Sequence, residues 1–302
     1  MATFWPLPHI YFGAVLRIWC SKKTTLMFKG TALVKESNIL IRPLQNVEEM
    51  SIGVNLQHRI WGYSAIDTVP DQMFIVAKES GGQVLGAFHK GNPVGFALAF
   101  AAIHDRTPYL HSHMVGVVPE FQNQGVGRLL KLAQRDDAIA RGINLIEWTF
   151  DPLQLKNAHF NLVRLGAVVR RYIPNFYGQT SSPLHAGLPT DRLVAEWWVN
   201  SKRVQAALNN QAYIPKSSEL ISIPAAINQI CASDPPGAEE IQLSIRREFE
   251  SHFAAGRAAE CARRTCRIHD ASGSGTSGAR PTNFPAPTSW RAQCQPDAVA
   301  AR

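Results

Sequence analysis

Gln122-x-x-Gly125-x-Gly127 is the stretch of this 302-residue chain whose residue types and spacing point most directly to chemistry. Two glycines one residue apart let a backbone turn tightly and approach a ligand closely. Where such a turn feeds a helix, the free N–H groups and the positive end of the helix dipole make a phosphate site. Ionisable side chains lie on both sides of the turn: His111 and His113 before it, Glu147, Tyr172 and Tyr177 after it.

The flanking residues supply the elements that such a site needs. Met114 to Val118 is an apolar run ending at Pro119, which cannot donate a ladder hydrogen bond and suits a strand end. Val126, Leu129, Leu130 and Ala133 follow at helical spacing, and Gly142 after Arg141 is a suitable helix stop. Upstream, Asn38 to Leu44 alternates as a strand, and Val47 to Trp61 is helical, with Glu48 and Glu49 in its first turn. Val69 to Lys78 fits either a short helix or an extended segment. Val84 to His89 and Pro93 to Ile103 read as strands joined at Lys90-Gly91-Asn92. Downstream, Leu145 to Phe150 is a buried strand, a helix runs from about Gln154 to a Gly166 cap, and Ala167 to Ile173 and Leu193 to Val199 are strands. The expected class is α/β, a mixed central sheet with flanking helices.

Two ligands compete for the turn. A dinucleotide site would need a third glycine where Leu130 stands, a turn directly after the strand, and an acidic residue at a strand end; Glu147 is mid-strand. The pattern Gln122-x-x-Gly125-x-Gly127 after Val-Val-Pro-Glu, with Asn157-Ala158-His159-Phe160 and Leu165-Gly166-Ala167 downstream, instead resembles the GNAT acetyltransferases, and the resemblance covers about Asn38 to Val199. TFDPLQLKNAHFNLVRLGA and NFYG…TDRLVAEWW are similar to a subgroup of larger GNAT proteins.

The resemblance implies a GNAT fold and acetyl-CoA or another acyl-CoA as cosubstrate. Backbone N–H groups from Asn123 to Arg128, through Gln124, Gly125, Val126 and Gly127, would wrap the pyrophosphate, beside Gln122. The strand carrying Val115 and Val117 would splay from its neighbour and bind the pantetheine arm, with an N–H near Val117 polarising the thioester carbonyl. Asn157 stands where the family often contacts CoA, though Asn also favours the first turn of a helix for local reasons. The family's usual acid is a Tyr four residues before the capping glycine; Leu162 occupies that place, which leaves Tyr172 or Tyr177 as substitutes. Candidate bases are Glu147, the favoured one, and His111 or His113, which strand alternation puts on one face. The implied activity is direct acyl transfer, acetyl by default, to a small amine or amino acid. A CoA-binding regulatory module without turnover is the alternative.

Composition bounds the rest. The formal charge of +8 favours anionic ligands, but residues 251–302 hold seven arginines against three acids, so the remainder is only mildly basic and no nucleic-acid surface is indicated. Five cysteines, an odd number, sit at 20, 231, 261, 266 and 294, which argues against a secreted disulfide framework. Cys261, Cys266 and His269 lack a fourth partner at zinc spacing, so no metal is expected. Ile10 to Cys20 is apolar but interrupted by Arg17, and no run reaches the roughly 18 apolar residues of a spanning helix, so a cytoplasmic chain without membrane contact is expected, with a homodimer left open. The expected organisation is an extension over 1–32, with 1–26 upstream of the fold, the acyltransferase domain over 33–205, an extension over 206–255 with an amphipathic helix at Glu239 to Phe253, and a disordered tail over 256–302.

Overall fold

A computed structural model of the chain describes residues 38–178, 187–211, 219–262 and 265–270. The expected N-terminal extension, and the tail beyond residue 270, lie outside the described residues.

The first half is a meander with helices on its faces. Strand β1 (Ile39–Pro43) is followed by α1 (Val47–Trp61) and α2 (Asp71–Glu79), then β2 (Gln83–His89), β3 (Asn92–His104) and β4 (Thr107–Val117). Helix α1 begins where expected because Asn46 Oδ1 accepts the Glu49 N–H at 2.9 Å, while Glu49 Oε2 accepts the Gln45 N–H at 2.7 Å. The stretch that fits either conformation by spacing is helical: Phe74 and Ala77 of α2 are buried, with Asp71 at its positive end. Next come α3 (Val126–Ala140), β5 (Leu145–Phe150), α4 (Leu155–His159), β6 (Val168–Ile173), β7 (Arg192–Trp198) and α5 (Lys202–Leu208). Helix α4 runs into one wider π turn, Phe160–Arg164, in which the Leu165 N–H reaches back five residues to the Phe160 carbonyl.

The strands form one sheet in the order β1-β2-β3-β4-β5-β7-β6, extended by β9 (Arg257–Ala262), β10 (Thr265–Asp270) and β8 (Glu219–Ser222). All neighbours are antiparallel except β4 and β5. The mixed α/β sheet is therefore as the sequence predicted. Arg257–Ala262 and Thr265–Asp270 are strands in a region whose composition predicted a disordered tail. Beyond residue 205, β8 is followed by α6 (Ile227–Ser233), and the expected amphipathic helix is α7 (Pro235–Ala254), capped by Asp234.

Two apolar clusters fill the molecule. One joins α1, α2 and α3 to β1–β4 through Leu44, Met50, Phe74, Phe96, Leu98 and Leu130. The other lies against β5–β7 and contains Ile146, Trp197, Leu162 and Val204 together with Ile221, Ile227, Ile245 and Phe249 from beyond residue 205. The C-terminal segment shares this core and does not build a separate one.

Phe249 is fully buried against Tyr172 and Phe253. Phe249→Ala should lower the unfolding free energy by about 3–5 kcal/mol in urea titration. The unfolding should remain a single transition; two separate transitions would show that residues 219–262 fold as an independent unit.

Candidate active site

The β4–β5 contact positions the site. These parallel strands pair only at Leu110 with Ile146 and His111 with Glu147, and beyond those residues they diverge. From Ser112 onward the edge of β4 that faces β5 has no strand partner. A cavity of about 1070 Å³ opens between the strands, walled by Trp61 at the end of α1 and Tyr63 after it, by Gly127 and Lys131 of α3, and by Asn157, Phe160 and Asn161 of the α4 region.

A bulge in β4 shapes this opening. Leu98 faces Met114 and Ala99 faces Ser112, which leaves His113 as the extra residue. The bulge shifts the alternation. Ser112 bonds to residues of α3, and five residues on Val117 again lies 3.9 Å from the Cβ position of Gly127 in α3. Gly116 turns the other way: a Cβ there would meet Ile60 and Trp61 of α1 within 3 Å.

At the wide end stands the amino terminus of α3. Gly125 caps it at φ 83°, a left-handed value that favours glycine, and open space surrounds its Cβ position. Leu129 is the first residue whose N–H reaches a carbonyl one turn behind, that of Gly125 at 3.0 Å. The N–H groups of Val126, Gly127 and Arg128 therefore point out of the helix end with no such acceptor. Asn123, also at positive φ, and Gln124 complete the turn, the latter donating from Nε2 to the Glu120 carbonyl at 2.7 Å. Gln122 Nε2 donates to the Val117 carbonyl at 3.0 Å and so ties the turn to the end of β4. Val126 is buried in the core, and the Arg128 guanidinium donates to the Leu208 carbonyl at 3.0 Å, so both contribute backbone rather than side chain to the turn.

Of the residues expected to do chemistry, His113, Val115, Val117, Gly127, Asn157 and Tyr177 line the cavity. The His113 ring lies 5.7 Å from Phe100 and 6.2 Å from His111, so the two histidines do share a face. Burial pushes the His113 imidazole below its usual range, and burial together with the neighbouring cations and His113 lowers His111 to about 4. Both rings are neutral at neutral pH and can accept a proton. The Tyr177 hydroxyl is 3.2 Å from Thr149 Oγ1 of β5, and Arg192 lies over its ring. Tyr172 is held elsewhere. Its hydroxyl donates to buried Asp191 at 2.6 Å, an arrangement that with burial drives its pKa upward.

Glu147 is not among the cavity-lining residues. It stands opposite Glu196 across β5 and β7, and this like-charged pair is compensated from β6: Arg170 bonds to Glu196, and Arg171 donates to Glu147 Oε2 at 2.8 Å. Leu162, in the position of the family's acid, is a core residue.

Several cavity residues were not singled out from the sequence. Lys131 is only 3% exposed, donates to Ser112 Oγ at 2.8 Å, and sits 3.6 Å from the centre of the Trp148 ring. It falls four residues after Gly127 on the same face of α3, a spacing that the apolar stripe obscured. Asp151, at the end of β5, accepts the Leu153 N–H at 2.8 Å, and burial raises its carboxyl pKa. Among the described residues no group of His, Cys, Asp and Glu could hold a metal ion; the side chains of Cys261, Cys266 and His269 lie outside those described. No helix of the described residues is long and apolar enough to cross a membrane.

Comparison with known proteins follows the same division of the chain. No curated protein sequence matches it. Among solved structures it is similar to Arabidopsis thaliana Naa50 in complex with a bisubstrate analogue, at 14% identity over 53% of this chain and 97% of that one, with a TM-score of 0.43. It is also similar to the ribosomal-protein-S18-alanine N-acetyltransferase from Escherichia coli, at 16% identity over 53% and 94%, TM-score 0.42. A third is yncA from Salmonella typhimurium with acetyl-CoA, at 18% identity over 60% and 99%, TM-score 0.44. Residues 54–166, from within α1 to the glycine after the π turn, match the Acetyltransferase (GNAT) family, so the chain carries a GNAT-family acetyltransferase domain.

Proposed function

We propose that the protein is an acyl-CoA-dependent N-acyltransferase that transfers its acyl group directly to a small amine or amino acid. One observation carries this reading: β4 parts from β5 after His111 and Glu147, and its free edge runs from there to Val117, beside the open amino terminus of α3. In this reading the unpaired peptide groups line the cleft and the helix end serves as its anion site. The residues present suit CoA. The turn from Asn123 to Arg128 offers backbone N–H groups to a pyrophosphate, and Gly125 and Gly127 keep that approach clear of side chains. The free edge of β4 through Val115 and Val117 offers peptide groups to the pantetheine arm. Asn157 lies across the cleft as a further polar contact.

CoA supplies an activated thioester; the chain supplies position and proton transfer. In this reading His113, neutral and in the cavity, accepts the proton that the amine loses as its nitrogen bonds to the acyl carbon. The Tyr177 hydroxyl is placed to return a proton to the thiolate as the carbon–sulfur bond breaks. Asp151 gives the cavity a carboxylate suited to a cationic amine. A cytoplasmic setting accords with the cysteine usage.

Thiol release from a panel of acyl-CoAs and amines, with calorimetry of CoA alone, tests the reading. Turnover of at least one amine is expected; CoA binding without any turnover would favour a regulatory module, and no CoA binding would overturn the site. Gly127→Trp, at a position with ordinary helical φ, should weaken CoA binding about 100-fold or more with little change in melting temperature. His113→Gln should lower kcat by about 10²–10⁴. Because the His113 pKa lies below its usual value, the unprotonated base is present above that pKa and lost as pH falls through it. The pH profile of kcat/KM should therefore steepen on the acid side below about pH 6.5, and His113→Gln should remove the steepening. Glu147→Gln should leave that limb in place. Glu147→Gln and Arg171→Gln should instead show a stability coupling of about 0.5–3 kcal/mol in a double-mutant cycle.

A further inference from the structure

The narrow end of the cleft, where β4 and β5 begin to part, holds a buried lysine, Lys131, with no carboxylate against it among the described residues. Ser112 and Trp148 are the first residues of β4 and β5 beyond the last paired positions, and the Lys131 ammonium touches both. Among the described residues no carboxylate lies within 4.0 Å of it. The contacts it does have use only part of its capacity, since an ammonium carries three donors and the Ser112 hydroxyl takes one. The same hydroxyl donates to Gln134 Oε1 at 3.0 Å, which leaves Gln134 Nε2 buried with no acceptor. Of this chain of groups, Lys131 and Ser112 line the cavity and Gln134 does not, so the spare donors of Lys131 are the ones a ligand in the cleft can meet. Burying an unpaired ammonium is costly, and here the desolvation drives its pKa well below the ordinary lysine value. An apolar side chain would fill the same volume beside Trp148 at no such cost.

The position in the cleft says what would arrive there. The anion site at the α3 amino terminus is at the wide end, next to Val117, and Lys131 is at the narrow end, next to Ser112. A thioester arm bound along β4 from the first to the second delivers the far end of its acyl group to Lys131. We infer that the cleft selects an acyl-CoA whose acyl group ends in a carboxylate, a short dicarboxylic acyl thioester, and that Lys131 Nζ receives that carboxylate beside Ser112. This rests on the CoA reading of the site and replaces acetyl as the preferred group. Lys131 would then act in specificity, with the proton transfers left to other residues.

The test is calorimetric binding of CoA, acetyl-CoA, butyryl-CoA, malonyl-CoA, succinyl-CoA and glutaryl-CoA to the whole protein, without acceptor. Butyryl and succinyl have similar length and differ in charge. At least one dicarboxylic thioester should bind about 10- to 100-fold more tightly than butyryl-CoA, the range expected for a charge-assisted hydrogen bond. Lys131→Met should bring that ratio to about one or below. Equal binding of succinyl-, malonyl-, glutaryl- and butyryl-CoA by the unmodified protein, with CoA itself bound, would overturn this inference and leave the CoA site intact. A ratio unchanged in Lys131→Met would overturn the role of Lys131. Failure of every CoA species to bind would overturn the site and this inference together. The unmodified protein alone decides acyl preference, so an unfolded variant does not remove the test.

Discussion

Two residue pairs hold the halves of the sheet together, and the requirement that buried peptide groups find partners makes that short contact the centre of the molecule. Beyond His111 and Glu147, the inner edge of β4 continues into the protein without a strand beside it. Such an edge is expensive unless water or a ligand satisfies it. The bulge at His113 and the glycine at 116 act on this same stretch. The bulge changes which residues face α3, and the missing side chain lets α1 press against the strand from the other side. The opening is therefore built by the strand that lines it, and the helices on both faces keep it from closing.

Because the strand contact is so short, side chains have to join the halves: Leu110 of β4 and Ala138 of α3 pack in the cluster on β5–β7. The meander β1–β4 is sealed by α1, α2 and α3, while β5–β7 is sealed by α4, the π turn and the segment beyond residue 205. Arg203 links the last two: it donates from Nε to the Gly166 carbonyl and from its terminal nitrogen to the Leu162 carbonyl, both at 3.1 Å. These bonds satisfy carbonyls at the end of the π turn that the helix itself cannot serve. The position that carries an acid in the resembled family is thus given over here to packing, with Leu162 in the core and its carbonyl bound.

What the sequence revealed follows from how local the cause was. Helix α1 was legible to its ends because its cap, Asn46 with Glu49, is written within four residues. The turn before α3 was legible for the same reason. The ambiguity of residues 69–78 was resolved by tertiary burial of Phe74 against Phe96, which no local pattern carries. Glu147 read as a base because a carboxylate between Ile146 and Trp148 needs a partner, but its partner Arg171 comes from a strand two places away in the sheet. Lys131 escaped notice because a lysine on a helix is expected to be solvated, and only the convergence of Ser112 and Trp148 buries it. The strands at 257–270 escaped because alanine-rich segments show no apolar alternation; they become strands by pairing with each other, with β6 and with β8.

Asp191 has a consequence for motion. It is completely desolvated, yet it accepts bonds from the Tyr172 hydroxyl, the Asn175 N–H and two nitrogens of Arg246 on α7. The Tyr177 N–H in turn rests on Thr190 Oγ1, one residue before the carboxylate. The cleft wall that presents Tyr177 is therefore latched to the carboxy-terminal helix, chiefly through Asp191, with Gln242 Nε2 of the same helix donating to the Pro189 carbonyl at 3.0 Å. Opening that wall exposes a buried carboxylate unless α7 moves with it, so its excursions share the free-energy threshold of the helix. A loop beside the cavity thereby acquires the rigidity of a core element nearly sixty residues further along the chain.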